Sequence, residues 1–309
     1  MSVGKCYALL TLFLAVALVA SACAPTRQDG AGGKLTVLTT TSIAGEVVAN
    51  VAGDRAQVKV LLPIGADPHA FEPTPQDLAL VSDAGVIFAN GAGLEAFLAP
   101  LLASAGVTGK LYYLSDGVEL RTLAQALAPA GEVGQTDPHV WYDPRNVLIW
   151  VDNIERTLGE ADPANAQAYR DNAERYRAQL RELDAWIEQQ VAQVPSARRE
   201  LVTDHDALGY FAARFGFRLV GAVIPSFSTL AEPSAQDIAA LEEAIRALGA
   251  PAVFVEQSVN STLSRRVAQD TGVKLVYLYG GSLSEPNGPA ATYVAYMRFN
   301  TSAIVDALR

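Results

Sequence analysis

Short apolar runs alternate with amphipathic segments along most of the chain. KLTVLTT, AQVKVLLP and VIFANG indicate strands, and the segments of about ten residues between them have the spacing of amphipathic helices. The same alternation returns around Leu201, in RELVTDH, RLVGAVIP, AVFVEQ and VKLVYLY. Continuously apolar strands separated by helices are typical of parallel sheets covered on both faces. The pattern therefore predicts an α/β fold with two lobes, residues 34–160 and 196–309, each a parallel sheet flanked by helices.

Between the lobes, residues 161–195 predict one long rigid helix. Asp162 stands at the N-cap position, Pro163 at the first helical position, and Pro195 ends the segment. About thirty residues at ~1.5 Å each give a rod of roughly 45 Å, long enough to join the lobes and fix their relation. A coiled-coil dimer seam is the weaker alternative because the repeat is too short. The apolar stripe, with steps of four and three, is Tyr169, Ala173, Tyr176, Leu180, Leu183, Ile187, Val191 and Val194.

The N-terminus has the pattern of a secretory signal. Lys5 precedes a long apolar run, and small residues then lead to Cys23, as in the lipobox of bacterial lipoproteins. The run is too short and wrongly flanked to span a membrane. Cys6 would leave with the signal, so Cys23 would be the only thiol left and would form no internal disulfide. We therefore expect a signal peptide with lipobox at 1–23, lipidation of Cys23, and a flexible tether at 24–33.

This prediction places the protein on the outer face of the bacterial cytoplasmic membrane, held there by its lipid. A plain secreted protein is the alternative, since Ala20 stands where leucine is usual in a lipobox. Half of the residues are hydrophobic, which excludes a disordered or fibrous chain. The net charge is −10 and no basic cluster occurs, so nucleic acid is not an expected partner. We expect a monomer.

The chain has only three histidines, and all three have similar surroundings. His69 and His139 lie in the near-repeats ADPHAFEPTP and TDPHVWYDP, and His205 lies in TDHDALGYF. Each follows a strand or precedes a helix, and ligands of parallel sheets gather beyond the carboxyl ends of strands. One such histidine alone is more often a surface or core residue. Three from two lobes predict a shared site for zinc or another late first-row divalent ion.

An acidic residue lies beside each histidine. Asp67, Asp137 and Asp204 are candidates to orient the imidazole rings by accepting a ring N–H. Pro68 and Pro138 restrict the residues before them to extended backbone, which sets the direction in which the following histidine leaves its loop.

Several motifs together resemble one known family. GADPHAFEPTPQDLALVSDAGVIFANG, DPHVWYDP, TDHDALGYFAARFGF, EPSAQDIAAL, FVEQSV and SLSEPNGPAATYVAYMRFN resemble the cluster A-I solute-binding proteins of bacterial metal ABC transporters. The resemblance runs from about Lys34 to the C-terminus. It implies two α/β lobes joined by a rigid helix, a metal held between them, and delivery of that metal to a membrane permease of an ABC importer. It places the first three metal ligands on His69, His139 and His205.

The third ligand bears on which metal is carried. Members of this family that favour manganese commonly have glutamate there, whereas zinc members have histidine. The resemblance therefore favours Zn²⁺ as the transported ligand, with Mn²⁺ or Fe²⁺ as alternatives. Neutral imidazoles are required for binding, so affinity is expected to fall below pH ~6.5, the ordinary histidine pKa.

One position departs from the family pattern. The family usually has an aspartate ligand just before SLS, where this chain has Gly281. Water or Glu285 could take the fourth position; Glu256 is also near, although its counterpart is not usually a ligand. A tight turn that needs positive φ is another reason for glycine at this place. The histidine-rich loop of some zinc importers is absent from ELRTLAQALAPAGEVGQ.

An open fourth position on a tris-histidine ion is also what a zinc hydrolase or hydratase needs. The chain contains no HExxH motif, no Gly-x-Ser-x-Gly motif and no glycine-rich phosphate loop. A surface adhesin is a third alternative, and no adhesive segment supports it. The sequence therefore predicts a receptor that captures a metal without chemistry and releases it by local loop movement.

Overall fold

The computed structural model describes residues 33–107, 109–122 and 134–309. The predicted signal peptide, Cys23 and residues 24–32 of the predicted tether lie outside these ranges. None of the helices in the described ranges is long and apolar enough to cross a membrane.

Two four-stranded sheets, both entirely parallel, form the centres of the two lobes. The strands are β1 Leu35–Thr39, β2 Ala56–Val60, β3 Val86–Ala89, β4 Leu111–Tyr113, β5 Glu200–His205, β6 Arg218–Ile224, β7 Ala252–Glu256 and β8 Lys274–Leu278. The first sheet has the order β2-β1-β3-β4 and the second has the order β6-β5-β7-β8. The predicted α/β class with one parallel sheet per lobe is therefore confirmed.

Nine α-helices of the described ranges cover these sheets or connect them. They are α1 Ser42–Ala52, α2 Pro75–Asp83, α3 Leu98–Ala105, α4 Pro144–Ala161, α5 Ala166–Val191, α6 Gly209–Phe215, α7 Ala235–Leu248, α8 Thr262–Thr271 and α9 Tyr293–Leu308. Short 3₁₀ turns lie at Val140–Tyr142, Pro163–Asn165 and Ser196–Arg198.

The order of strands fixes where a ligand can bind. In each lobe the chain first adds a strand on one side of the starting strand and then crosses to the other side. The crevice at such a reversal, beyond the carboxyl ends of the strands, is where ligands bind in open α/β sheets. The reversals lie between β1 and β3 and between β5 and β7.

The predicted long helix is present, although its α-helical part is shorter than residues 161–195. Asp162 precedes the tighter 3₁₀ turn at Pro163–Asn165, the α-helix α5 then begins at Ala166, and it ends at Val191 before Pro195 is reached. At 1.5 Å per residue this helix is roughly 39 Å long. All eight residues of the predicted apolar stripe are buried.

One hydrophobic core runs through both lobes and the long helix. It includes Val37 and Phe88 of the first sheet, Leu180 of α5, and Leu201 and Phe254 of the second sheet. Two smaller clusters lie on the outer faces of the sheets. Because close-packed interiors transmit strain and resist sliding, this shared core holds the lobes in one arrangement.

The stripe on α5 yields a stability prediction. Leu180 is fully buried, so Leu180→Ala is expected to lower the free energy of unfolding by about 2–5 kcal/mol. The adjacent Gln179 is exposed, and Gln179→Ala is expected to change it by less than about 0.5 kcal/mol. Urea denaturation followed by circular dichroism measures both. Equal effects of the two substitutions would contradict the packing of this helix.

Candidate metal centre

The three histidines meet between the lobes. His69 lies in the loop after β2, His139 directly precedes the 3₁₀ turn at Val140–Tyr142, and His205 is the last residue of β5. The Nε2 atoms of His69 and His139 are 3.2 Å apart, and those of His139 and His205 are 3.3 Å apart. Ligating nitrogens of all three rings lie within 4.8 Å of one another. The predicted convergence of the histidines is therefore present.

These separations fit a single metal ion. Zinc–nitrogen bonds of about 2.0–2.1 Å in tetrahedral geometry place neighbouring nitrogens about 3.3–3.4 Å apart. The cluster is also shielded from water, because His139 and His205 are each only 1 % exposed. His69 is partly buried and forms the outer side of the site.

Two of the three neighbouring aspartates orient the rings. Asp137 Oδ1 accepts both the backbone N–H of His139, at 3.0 Å, and its ring Nδ1–H, at 2.9 Å. Asp204 Oδ1 does the same for His205, at 2.8 and 3.0 Å. In the neutral form of each ring, donation by Nδ1 to the carboxylate leaves the lone pair on Nε2, which points at the other rings.

Asp67 behaves differently from the other two aspartates. Its Oδ1 accepts the backbone N–H of His69 at 2.9 Å, and its Oδ2 accepts the hydroxyl of Thr229 at 2.6 Å. Thr229 belongs to the loop after β6, so this bond ties the His69 loop to the second lobe.

The surroundings give the three rings different affinities for protons. Burial, followed by the neighbouring histidines, lowers the pKa of His69 to about 3, and burial lowers the pKa of His139 well below its ordinary value. Burial also acts to lower the pKa of His205, but the carboxylates of Asp204 and then Glu256 raise it to about 9. At neutral pH one proton therefore resides on His205.

That proton and a metal ion compete for the same place. Two neutral rings with Nδ1 protons would point their Nε2 lone pairs at each other across 3.3 Å, which is repulsive unless a cation lies between them. A proton on His205 Nε2 relieves this repulsion by donating to His139. A divalent metal relieves it more completely, since it can accept all three lone pairs.

No carboxylate of the described residues joins the three histidines as a fourth close ligand. Glu285 is exposed. Glu256 is buried, and its Oε1 accepts the hydroxyl of Tyr142 at 2.9 Å. A Cβ on Gly280 would lie 1.6 Å from Glu256 Oε2, so only glycine leaves room for this carboxylate.

At Gly281, where the family has aspartate, the alternative of a tight turn with positive φ does not hold. The φ of Gly281 is not in the positive region. A Cβ at this position would lie 2.6 Å from Cδ of Pro68. Glycine is therefore required here by the close approach of the loop that carries His69.

Several residues that hold the site were missed by the sequence analysis. Asn90, just after β3, donates its side-chain amide to the carbonyl of Pro138 at 3.0 Å, and Glu95 accepts the backbone N–H groups of Asn90 and Gly91. The only signal for Asn90 was its place at the carboxyl end of a strand. Tyr142 and Thr229 act across the lobes, and local patterns cannot show such pairing.

The fold and the histidine cluster define a two-lobed metal-binding receptor, and the comparisons with known proteins agree. Residues 37–307 match the family described as "ZnuA: Zinc-uptake complex component A periplasmic". The chain belongs to this family. Its predicted membership of the solute-binding proteins of metal ABC transporters is thereby confirmed, as are the extracytoplasmic location and the expectation that it is not an enzyme.

Two proteins of similar sequence are lipoproteins named for manganese. The chain is 35 % identical to the manganese-binding lipoprotein MntA of Halalkalibacterium halodurans, with 96 % of this chain and 97 % of the relative covered. It is 33 % identical to the manganese ABC transporter substrate-binding lipoprotein PsaA of Streptococcus pneumoniae, with 97 % of both chains covered.

Solved structures share the fold. The periplasmic zinc-binding protein TroA of Treponema pallidum matches with a TM-score of 0.82 and 27 % identity, over 89 % of this chain and 99 % of TroA. The Mn-bound periplasmic metal-binding protein of Candidatus Liberibacter asiaticus matches with a TM-score of 0.79 and 27 % identity, over 89 % of this chain and all of that one.

The raised pKa of His205 moves the expected pH dependence upwards from the ordinary histidine value. A metal must displace the proton from His205, so affinity should rise with pH up to about 9. Since each pKa unit is a factor of ten, binding at pH 7 should be about a hundredfold weaker than the plateau, with about one proton released per metal. Titration calorimetry with Zn²⁺ in buffers of different ionisation enthalpy counts these protons. Zinc binding at pH 7 without proton release would contradict the shift.

Proposed function

We propose that the protein captures Zn²⁺ outside the cytoplasm and delivers it to the permease of an ABC importer, with His69, His139 and His205 as the protein ligands. The observation that carries this proposal is the convergence of three imidazole Nε2 atoms at 3.2 and 3.3 Å. Membership of a metal-uptake receptor family supplies the transporter as partner.

The donor set favours zinc over manganese. Imidazole nitrogen suits zinc, copper, iron and nickel, whereas carboxylate, carbonyl and water oxygens suit manganese. In the described part of the chain the cluster offers three nitrogens, and no carboxylate lies close enough to all three to join it. Gly281 supplies no oxygen ligand in place of the family aspartate. The fourth position is therefore best filled by water.

Manganese is the second candidate because the relatives MntA and PsaA are named for it. Zinc still lies above manganese in the general order of affinity for nitrogen-rich sites. Competition between the two ions on one sample decides between the candidates.

Substitution of the third ligand tests both the site and the metal. His205→Ala should weaken Zn²⁺ binding by more than about 100-fold, because loss of groups that merely support a ligand already costs 10–100-fold. His205→Glu should narrow the preference for Zn²⁺ over Mn²⁺ by supplying an oxygen donor. Chelator-competition titrations with each metal measure both effects.

Glu285→Gln is the matched control for these titrations. It removes the carboxylate that was one candidate for the fourth ligand, and because Glu285 is exposed, zinc affinity should stay unchanged. Full zinc affinity in His205→Ala would overturn the assigned ligands. Tighter binding of Mn²⁺ than of Zn²⁺ by the natural protein would overturn the proposed metal.

We also propose that Cys23 carries a lipid that anchors the receptor to the membrane surface and that the receptor acts as a monomer. Relatives that cover nearly the whole chain are lipoproteins by name.

The proposed monomer needs no second subunit to reach the permease, because a single chain anchored by its lipid can reach it by local diffusion. Sedimentation of the detergent-solubilised protein tests the monomer, and a dimer at micromolar concentration would contradict it.

Replacement of the thiol tests the anchor. Cys23→Ala should move the protein from the detergent phase to the aqueous phase in Triton X-114 partitioning, because lipid chains supply the membrane affinity. Cys6→Ala is the matched control, since that thiol leaves with the signal and partitioning should not change. A detergent-phase Cys23→Ala protein would show that another segment anchors it.

A further inference from the structure

The hydroxyl of Tyr210 lies at a junction between the two lobes. Tyr210 belongs to the first turn of α6 in the second lobe and is buried. Its oxygen accepts the backbone N–H of Arg121 at 3.0 Å, and its proton is donated to the backbone carbonyl of Asp137 at 3.1 Å. Arg121 and Asp137 also bond to each other, because Asp137 N–H donates to the Arg121 carbonyl at 2.9 Å.

Asp137 is the residue that holds His139 in place. Its Oδ1 accepts both the backbone N–H and the ring Nδ1–H of His139. Anything that fixes the backbone of Asp137 therefore also fixes the direction of the His139 ring. The Asp137 N–H bond to the Arg121 carbonyl ties that backbone to its own lobe, and Tyr210 ties it to the second lobe as well.

Gly209 supports the same aspartate from the same helix. A Cβ on Gly209 would lie 2.5 Å from Asp137 Oδ2, so the backbone of α6 lies directly against the carboxylate. Only a few residues separate Gly209 and Tyr210 from His205. One short segment of the second lobe thus provides the third histidine and also holds the carboxylate that orients the second.

We propose that Tyr210 is a positioning residue for metal capture: its hydroxyl fixes Asp137 and thereby keeps His139 Nε2 at bonding distance from the ion that His205 binds. The inference rests on the assignment of the three histidines as ligands. In a preorganised site, less of the binding free energy is lost to ordering the ligand side chains. The bound ion is therefore released more slowly.

The alternative is that Tyr210 contributes to stability alone. Tyr176 provides the matched control, because it is also a buried tyrosine, and its hydroxyl donates to Glu46 Oε2 at 3.0 Å, between α5 and α1. Tyr210→Phe and Tyr176→Phe each remove one buried hydroxyl and leave the ring. If Tyr210 has a purely structural role, the two variants should lose similar amounts of thermal stability. Both should then bind and release Zn²⁺ like the natural protein.

The test compares Tyr210→Phe, Tyr176→Phe, His139→Ala and the natural protein. Zn²⁺ dissociation is followed by stopped-flow mixing with a chelator, and the visible spectrum of the Co²⁺-loaded protein reports the geometry of the ligands. Tyr210→Phe is expected to release Zn²⁺ about 10–100-fold faster, the range for groups that support a ligand, and to change the Co²⁺ spectrum. Tyr176→Phe should match the natural protein in both measurements.

The possible outcomes distinguish the role of Tyr210 from the assignment of the three histidines as ligands. Unchanged Zn²⁺ release and Co²⁺ spectrum in Tyr210→Phe, with binding abolished in His139→Ala, would overturn the role of Tyr210 and leave the ligands intact. Full binding in His139→Ala would overturn both. If Tyr210→Phe does not fold, Gly209→Ala tests the same support, because its Cβ would displace Asp137 and should accelerate release to a similar extent.

Discussion

The site depends on the repulsion between lone pairs that the protein forces together. Two rings have their Nδ1 protons bound by Asp137 and Asp204, so their Nε2 lone pairs would face each other directly if no proton or metal ion lay between them. In a buried setting this arrangement is costly, and a cation that accepts the lone pairs removes the cost. Metal affinity therefore depends on all the contacts that prevent the histidine rings from turning away from one another.

Many of these contacts join the two lobes. The hydrophobic core is continuous through both sheets and α5, and Thr229 and Tyr210 of the second lobe bond to the segments that carry His69 and His139. Asp184 of α5 adds an ion pair of 2.6 Å with Arg214 of α6. With so many links, a wide hinge motion would break many contacts at once, so movement of the ligand loops is the easier way to release an ion.

Much of this could be predicted from the sequence because it depends on local patterns. Apolar strands, the stripe on the long helix and the Asp-Pro-His repeats are periodic or contiguous, and they predicted the fold and the three histidines. The roles of Gly280, Gly281 and Tyr210 could not be predicted this way. Each depends on a partner far along the chain, namely Glu256, Pro68 and Asp137. Likewise, the raised pKa of His205 comes from carboxylates that only the folded sheet brings together.

The unequal exposure of the histidines gives the site a direction. His139 and His205 are sealed inside the protein, whereas His69 lies at the boundary with solvent on its own loop. The side of His69 is the more exposed side of the site, so we expect an ion to arrive and leave there. The His69 ring is then the ligand that an acceptor protein must move aside. The rings of His139 and His205 can stay where they are during the transfer.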